Sequence, residues 1–147
     1  MIQLLYASLG SLGFGMIFKA NKNKMIWILI GGFLNFLVYS LVFEQTSNVF
    51  LSSMMCAVMT SVYSLIMAIT LKCPSTIFIL TGFIPVVPGS NLFYMMQGLV
   101  SGDYVLAKTN LQITIFVILG IVSGMALVTV ITTLVQELLK VIHKKRA

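Results

Sequence analysis

Charged residues are scarce in this 147-residue chain. Only 8% of its residues are charged, with three Asp and Glu residues against nine Lys and Arg, whereas 59% are hydrophobic. A soluble globular domain carries roughly 25% charged residues because its surface has to be solvated. Together with a mean hydropathy of +1.08, this shortage excludes an ordinary water-soluble domain and predicts a protein whose natural solvent is the lipid bilayer.

Residues suited to catalysis or metal binding are also rare. The chain has one histidine, His143, in its basic C-terminal segment, and its two cysteines, Cys56 and Cys73, show no metal-ligand spacing. No nucleophile motif or pair of carboxylates indicates acid–base or covalent chemistry. The sequence therefore predicts no enzymatic activity, no cofactor and no metal site. Because the positive charges form short clusters between apolar runs, we also predict no nucleic-acid partner.

Five apolar runs dominate the sequence. A hydrocarbon core of about 30 Å requires about 20 apolar residues per helical crossing, and most of the runs come close to that length. They predict an all-α, polytopic membrane protein with a single transmembrane domain over residues 1–147. Its five transmembrane helices are predicted at about 2–18, 25–43, 49–71, 76–101 and 111–136.

The distribution of Lys and Arg predicts the orientation of these helices, since both residues accumulate on the cytoplasmic side of a membrane. With five spans and the N-terminus outside, eight of the nine lie inside, and only Lys108 lies outside. If the fourth run were instead a re-entrant hairpin, the division would be five against four. We therefore predict five spans, with the N-terminus out and the C-terminus in.

Small residues recur at four-residue spacing in three of the runs. Helices pack in lipid through such rows because small side chains let two backbones approach closely. The sequence therefore predicts packing seams at these positions: Ser11 and Gly15 in the first run, Ser53, Ala57 and Ser61 in the third, and Gly120 and Gly124 in the fifth.

The fourth run contains two prolines and a glycine near its centre: Pro85, Pro88 and Gly89. Proline has no amide hydrogen and clashes with the carbonyl group four residues earlier, so this stretch is predicted to break the helix near the bilayer midplane. A broken helix is tolerated in the membrane where protein or a water-lined cavity satisfies its free backbone groups. Transporters with discontinuous helices bind substrate at that depth, although a proline-kinked packing helix fits the same pattern.

A second half-helix is predicted to start at Ser90 or Asn91, because both are good N-cap residues. Its free amides and dipole would favour a carboxylate, and the polar residues that follow share one helix face. Asn35 in the second run either lines the same cavity or makes an interhelical hydrogen bond. The predicted substrate-binding residues are Asn35, Pro85, Pro88, Gly89, Ser90, Asn91, Tyr94 and Gln97.

Two segments carry a family resemblance. Pro85, Pro88, Gly89 and Tyr94 fit a Pro-x-x-Pro-Gly-x-x-x-x-Tyr signature, and residues 13–18 read Gly-Phe-Gly-Met-Ile-Phe before a lysine-rich loop. With the length and span number, these features make the chain similar to the small-subunit or C-terminal domain of the threonine/serine exporter family. The resemblance extends over nearly the whole chain.

The resemblance implies a subunit of a secondary exporter in the bacterial cytoplasmic membrane. The expected substrates are small hydrophilic metabolites, either threonine and serine or small dicarboxylates, and the expected partner is a larger membrane subunit of the same two-component transporter. No Asp, Glu, Lys, Arg or His lies within a predicted span, so proton coupling would require the partner. Two alternatives remain open, namely a scaffold subunit without substrate contacts and a self-associating channel.

Overall fold

The computed structural model describes the backbone of residues 2–146 and the side chains of residues 3–138. No β-strand occurs among these residues, so the prediction of an all-α protein is confirmed. The helices are α1 (Ile2–Ile17), α2 (Lys22–Thr46), α3 (Val49–Thr70), α4 (Thr76–Phe83), α5 (Gly89–Ser101) and α6 (Tyr104–Arg146), with a short 3-10 helix at Ile84–Val86 between α4 and α5.

Within the described part of the chain, three helices are long and apolar enough to cross a bilayer, namely α2, α3 and α6, and the bent pair α4 and α5 makes a fourth if it counts as one span. The helix α1 has only 16 residues, which is about 24 Å at 1.5 Å per residue and therefore shorter than the hydrocarbon core. The helices thus coincide with the five apolar runs, while the prediction of five spans stays a prediction.

The helices alternate in direction when α4 and α5 are counted as one segment. Gly15 of α1 packs on Ile28 of α2, and Gly82 of α4 packs on Thr60 of α3. The helices α3 and α6 run parallel, as this alternation requires. Gly120 lies against Phe50, and Gly124 lies against Met54. The α4–α5 segment therefore carries the chain from the end of α3 near Lys72 to the end near Asn48, from which α6 returns.

The backbones of α3 and α6 approach closely along a seam. A Cβ atom at Gly120 would lie 2.6 Å from the carbonyl oxygen of Phe50, and one at Gly124 would lie 2.5 Å from that of Met54. Ser53 and Ala57 of α3 face the same two glycines. The rows of small residues predicted in the third and fifth runs are therefore the two sides of one seam.

The helix α6 is longer than the sequence predicted. It begins at Tyr104 rather than near residue 111, because Asp103 Oδ1 accepts a hydrogen bond from the amide of Leu106 at 3.0 Å and so caps its first turn. Gly102, with φ of +78°, makes the sharp turn from α5. Since α3 begins level with about residue 119 of α6, the N-terminal part of α6 extends about 20 Å past α3.

In that projecting part, α5 packs almost entirely on α6. The contact is close at Gly98, where a Cβ atom would lie 2.7 Å from the amide nitrogen of Ala107. The α5–α6 hairpin, residues 89–112, therefore projects from the helix bundle, which α6 joins at Ile113 and Val117 through a cluster with Cys56 and Val86.

Candidate functional site

The fourth apolar run is broken where the prolines predict it. The helix α4 ends at Phe83, a 3-10 turn covers Ile84–Val86, and Val87 is extended with φ of −58° and ψ of 126°. The two halves are bent by 50°. Because Gly82 packs on Thr60, near the middle of α3, the break starts close to the midpoint of that helix.

The second half-helix begins one residue earlier than expected. Its first residue is Gly89, and the residue at the N-cap position is Pro88, which has no side-chain group to cap it. The prediction that Ser90 or Asn91 serves as the N-cap is therefore wrong, since both lie in the first turn of α5. The amides of Ser90 and Asn91 have no hydrogen-bond partner among the described residues, whereas Leu92 N donates to Pro88 O at 3.0 Å.

An open groove of about 360 Å³ lies at this N-terminus, lined by Phe14, Ile84, Val87 and Gly89. We call it the break groove. A Cβ atom at Gly89 would meet no atom within 4 Å, so the glycine faces free space. The structure thus brings Phe14, from the Gly-Phe-Gly-Met-Ile-Phe segment, to the same groove as Gly89 from the proline-glycine signature. Sequence reasoning did not assign Phe14 to the site, although the resemblance singled out its segment.

The other predicted residues of the break and of α5 differ in exposure. Pro88 is buried and Pro85 is half-buried at the break. Ser90, Tyr94 and Gln97 are exposed along α5, and Asn91 is half-buried. The ring of Tyr94 packs edge-on against Phe93, with ring centroids 5.6 Å apart. These side chains therefore extend from the break groove along a surface that no other described helix covers.

Asn35 is placed apart from this surface. It is completely buried, its amide nitrogen donates to the hydroxyl of Thr60, and its carbonyl oxygen accepts from the thiol of Cys56. A Cβ atom at Gly82 would lie 4.0 Å from the Asn35 amide nitrogen. Asn35 therefore joins α2 to α3 directly behind the start of the break, as the interhelical hydrogen-bond alternative describes, and it does not line the break groove.

A second polar feature, which sequence reasoning missed, surrounds Ser61 of α3. Its hydroxyl is buried without a hydrogen-bond partner and lines a cavity of about 170 Å³ together with Ser75, Thr129 and Thr132. Local bonding to the backbone carbonyl one turn earlier satisfies hydroxyl groups in helices, so the sequence of α3 does not single out Ser61. No local pattern links residues from α3, α4 and α6.

In the part of the chain whose side chains are described, no Lys, Arg, His, Asp or Glu lines the break groove or this cavity. Asp103 is exposed at the start of α6, and Glu44 is exposed near the end of α2. Among the described residues, no group of three or more His, Cys, Asp or Glu side chains is arranged to hold a metal ion. The break groove itself is lined by the Phe14 ring, by two aliphatic side chains and by Gly89, whose amide donates to Val87 O at 2.7 Å, and the unpaired amides of α5 lie in the turn beside it.

Comparison with known proteins identifies the family. The family model described as threonine/serine exporter, ThrE, matches residues 3–131. Among curated proteins and solved structures, none matches the chain significantly. The match includes both the break and Phe14, and it covers most of the chain. This all-helical membrane protein therefore belongs to the threonine/serine exporter family, a membership that supports a role in membrane export.

Proposed function

We propose that the chain is a multi-pass subunit of a secondary exporter in a bacterial cytoplasmic membrane, and that it works with a larger membrane subunit of the same family. Its cargo is a small hydrophilic metabolite with a carboxylate group, either threonine and serine or a small organic acid. The carboxylate binds in the break groove. The protein acts as a transporter and not as an enzyme.

The observation that carries this proposal is the free N-terminus of α5 beside an open groove that reaches Gly89. The amides of Ser90 and Asn91 are unpaired among the described residues, and the positive end of the helix dipole lies with them. Both features favour an anionic group. Gly89 leaves space for it, and Ser90, Asn91, Tyr94 and Gln97 supply polar groups along the same half-helix.

The direction of the helices supports the five-span orientation. A re-entrant fourth segment would return to its own side of the membrane, and α6 would then run antiparallel to α3. The parallel packing of α3 and α6 instead favours a broken helix that crosses. The loops with Lys19, Lys22, Lys24 and Lys72 and the C-terminal end of α6 then share one side, which is the cytoplasmic side by the positive-inside rule.

The α5–α6 hairpin supports the proposed partner. It projects beyond α3 and exposes large apolar side chains, including Phe93, Val100 and Val105, which are 65%, 88% and 77% exposed. Beside the unpaired amides of α5, such a surface is suited to a second membrane subunit that completes the wall of the break groove. Lipid contact alone would leave those amides without partners in hydrocarbon.

The test is to fill the break groove without disturbing the fold. Gly89 has no positive φ and its Cβ position is open, so Gly89→Leu places a side chain in the groove and displaces nothing. Gly10→Leu in α1 is the matched control, since its Cβ position is equally open. We expect Gly89→Leu to lower export by at least about tenfold in cells expressing both subunits, and Gly10→Leu to export normally. Normal export by Gly89→Leu would contradict the proposal.

The scaffold alternative predicts a different result. Replacement of Pro88 and Gly89 by alanine removes the break, and Asn91→Leu removes a polar group at the start of α5. Loss of export while the two subunits still purify together supports a site at the break. Loss of the complex alone supports a scaffold. Transport by the purified chain in liposomes without a partner would instead favour a self-associating channel.

A further inference from the structure

Ser61 differs from the other serines of α3. The hydroxyls of Ser52, Ser53 and Ser64 each donate to the backbone carbonyl four residues earlier. Ser61 as a whole residue is only 6% exposed. Its buried hydroxyl has no hydrogen-bond partner among the described residues. A buried hydroxyl without a partner loses the hydrogen bonds that it would make in water and is destabilising, so its orientation into a cavity requires a reason.

That cavity, which we call the hydroxyl cavity, is lined by Ser61, Ser75, Thr129 and Thr132 and by four apolar side chains. It exists because α4 and α6 both pack on α3 but hardly touch each other. At about 170 Å³ it has room for about five water molecules of roughly 30 Å³ each. It lies between the break and the end of α3 near Lys72, the cytoplasmic side in the proposed orientation.

The lining groups offer both kinds of hydrogen-bonding partner. The hydroxyl of Thr129 donates to Met125 O at 2.9 Å, and that of Thr132 donates to Val128 O at 2.8 Å, so both present only lone pairs to the cavity. The hydroxyl protons of Ser61 and Ser75 are not used within the described residues. The cavity can therefore accept hydrogen bonds on the α6 side and donate them on the α3 and α4 side.

We propose that the hydroxyl cavity is a second binding site, which takes a small polar solute that has hydrogen-bond donors and acceptors but no net charge. Among the residues whose side chains are described, no Lys, Arg, Asp or Glu lines the cavity. A net charge there would lack a counter-charge in a low-dielectric interior, which is costly. A zwitterion carries its own counter-charge, so the cavity favours zwitterionic amino acids over dicarboxylates.

This inference rests on the proposed function in one respect, because it takes the transported solute as the occupant. The hydroxyl cavity then holds the solute on the cytoplasmic side before it reaches the break groove. Of the two substrate classes that the family resemblance leaves open, amino acids and dicarboxylates, only the first fits both places.

The test uses the purified full chain in nanodiscs, with Gly89→Leu present in every sample so that the break groove is filled, and measures binding of radiolabelled L-threonine with unlabelled succinate as competitor. Ser61→Ala removes a hydroxyl that makes no hydrogen bond in the structure, so the fold is expected to be retained. We expect Ser61→Ala and Thr132→Val each to weaken L-threonine binding at least about fivefold, the effect of losing one hydrogen bond. Ser53→Ala is the matched control and should bind normally, because Ser53 faces Gly120. Succinate should not compete.

Three results would overturn the proposal: unchanged L-threonine binding by Ser61→Ala, competition by succinate as strong as that by L-threonine, or no saturable L-threonine binding at all. The break groove is judged separately. If Gly89→Leu abolishes export and Ser61→Ala binds normally, the break groove stands and the hydroxyl cavity fails. If Ser61→Ala weakens binding and Gly89→Leu exports normally, the hydroxyl cavity stands as a binding site and the break groove fails.

Discussion

The side-chain amide of Asn35 in α2 donates a hydrogen bond to the hydroxyl of Thr60 in α3. Both residues are buried, at 0% and 2% exposure, and Gly82 of α4 packs against them. A glycine is needed there because a Cβ atom would lie 2.8 Å from the Thr60 methyl group. This polar contact joins three helices at the point where the fourth run is about to break, so it positions the break without lining the break groove.

Asn35→Leu should lower stability rather than remove a substrate contact. Interhelical hydrogen bonds in membranes contribute about 0.6 kcal/mol and at most about 2, and we expect a loss of that size in the free energy of unfolding. Thr60→Val removes the same bond, so the double variant should lose less than the sum of the two single losses. Thermal unfolding in detergent measures this coupling. Loss of export with unchanged stability would instead make Asn35 a substrate contact.

The α3–α6 seam should tolerate no added side chain at Gly124. A methyl group there would lie 2.5 Å from Met54 O and 2.7 Å from the Ala57 methyl, and a backbone carbonyl has little room to move. We expect Gly124→Ala to cost about 1–3 kcal/mol, the range for overpacking. Gly10→Ala, where nothing lies within 4 Å, should be neutral or stabilising. Equal unfolding temperatures for the two variants would show that α3 and α6 are not packed this way.

Asp103 should act as a helix cap. Its carboxylate accepts from Leu106 N at 3.0 Å, a role that an asparagine side chain can also fill. We expect Asp103→Asn to export normally, and Asp103→Ala to lose about 0.5–2 kcal/mol of stability. Export by each variant, measured together with its unfolding temperature, separates the cap from a requirement for the charge. Loss of export in Asp103→Asn would show that the charge itself is required.

The two native cysteines provide a test of orientation. Cys73 is half-buried in the loop after α3, whereas Cys56 is completely buried. A membrane-impermeant maleimide should therefore label Cys73 in inverted vesicles and leave it unlabelled in intact cells. Cys73→Ser should remove the labelling, because Cys56 is inaccessible from either side. Labelling of Cys73 in intact cells would reverse the proposed orientation.

Local chemistry explains what could be predicted. The break depends on two prolines and a glycine within five residues, because a missing amide and a ring clash act on the same stretch of backbone that contains them. The start of α5 was misplaced by one residue since N-cap preference favoured Ser90 or Asn91, whereas the break itself left Pro88 at that position. Asn35 was ambiguous from sequence because its partners, Thr60 and Cys56, lie on another helix.

The sequence by itself determined the all-helical membrane character, the position of the break and the rows of small residues, because composition, proline chemistry and residue spacing act within one helix. Only the tertiary structure decided that Gly120 and Gly124 pack on α3, that Phe14 lies at the break groove with Gly89, and that Ser61 faces a cavity with Thr132. Each of these depends on how helices distant in sequence pack together, and packing is set by the close approach of whole surfaces.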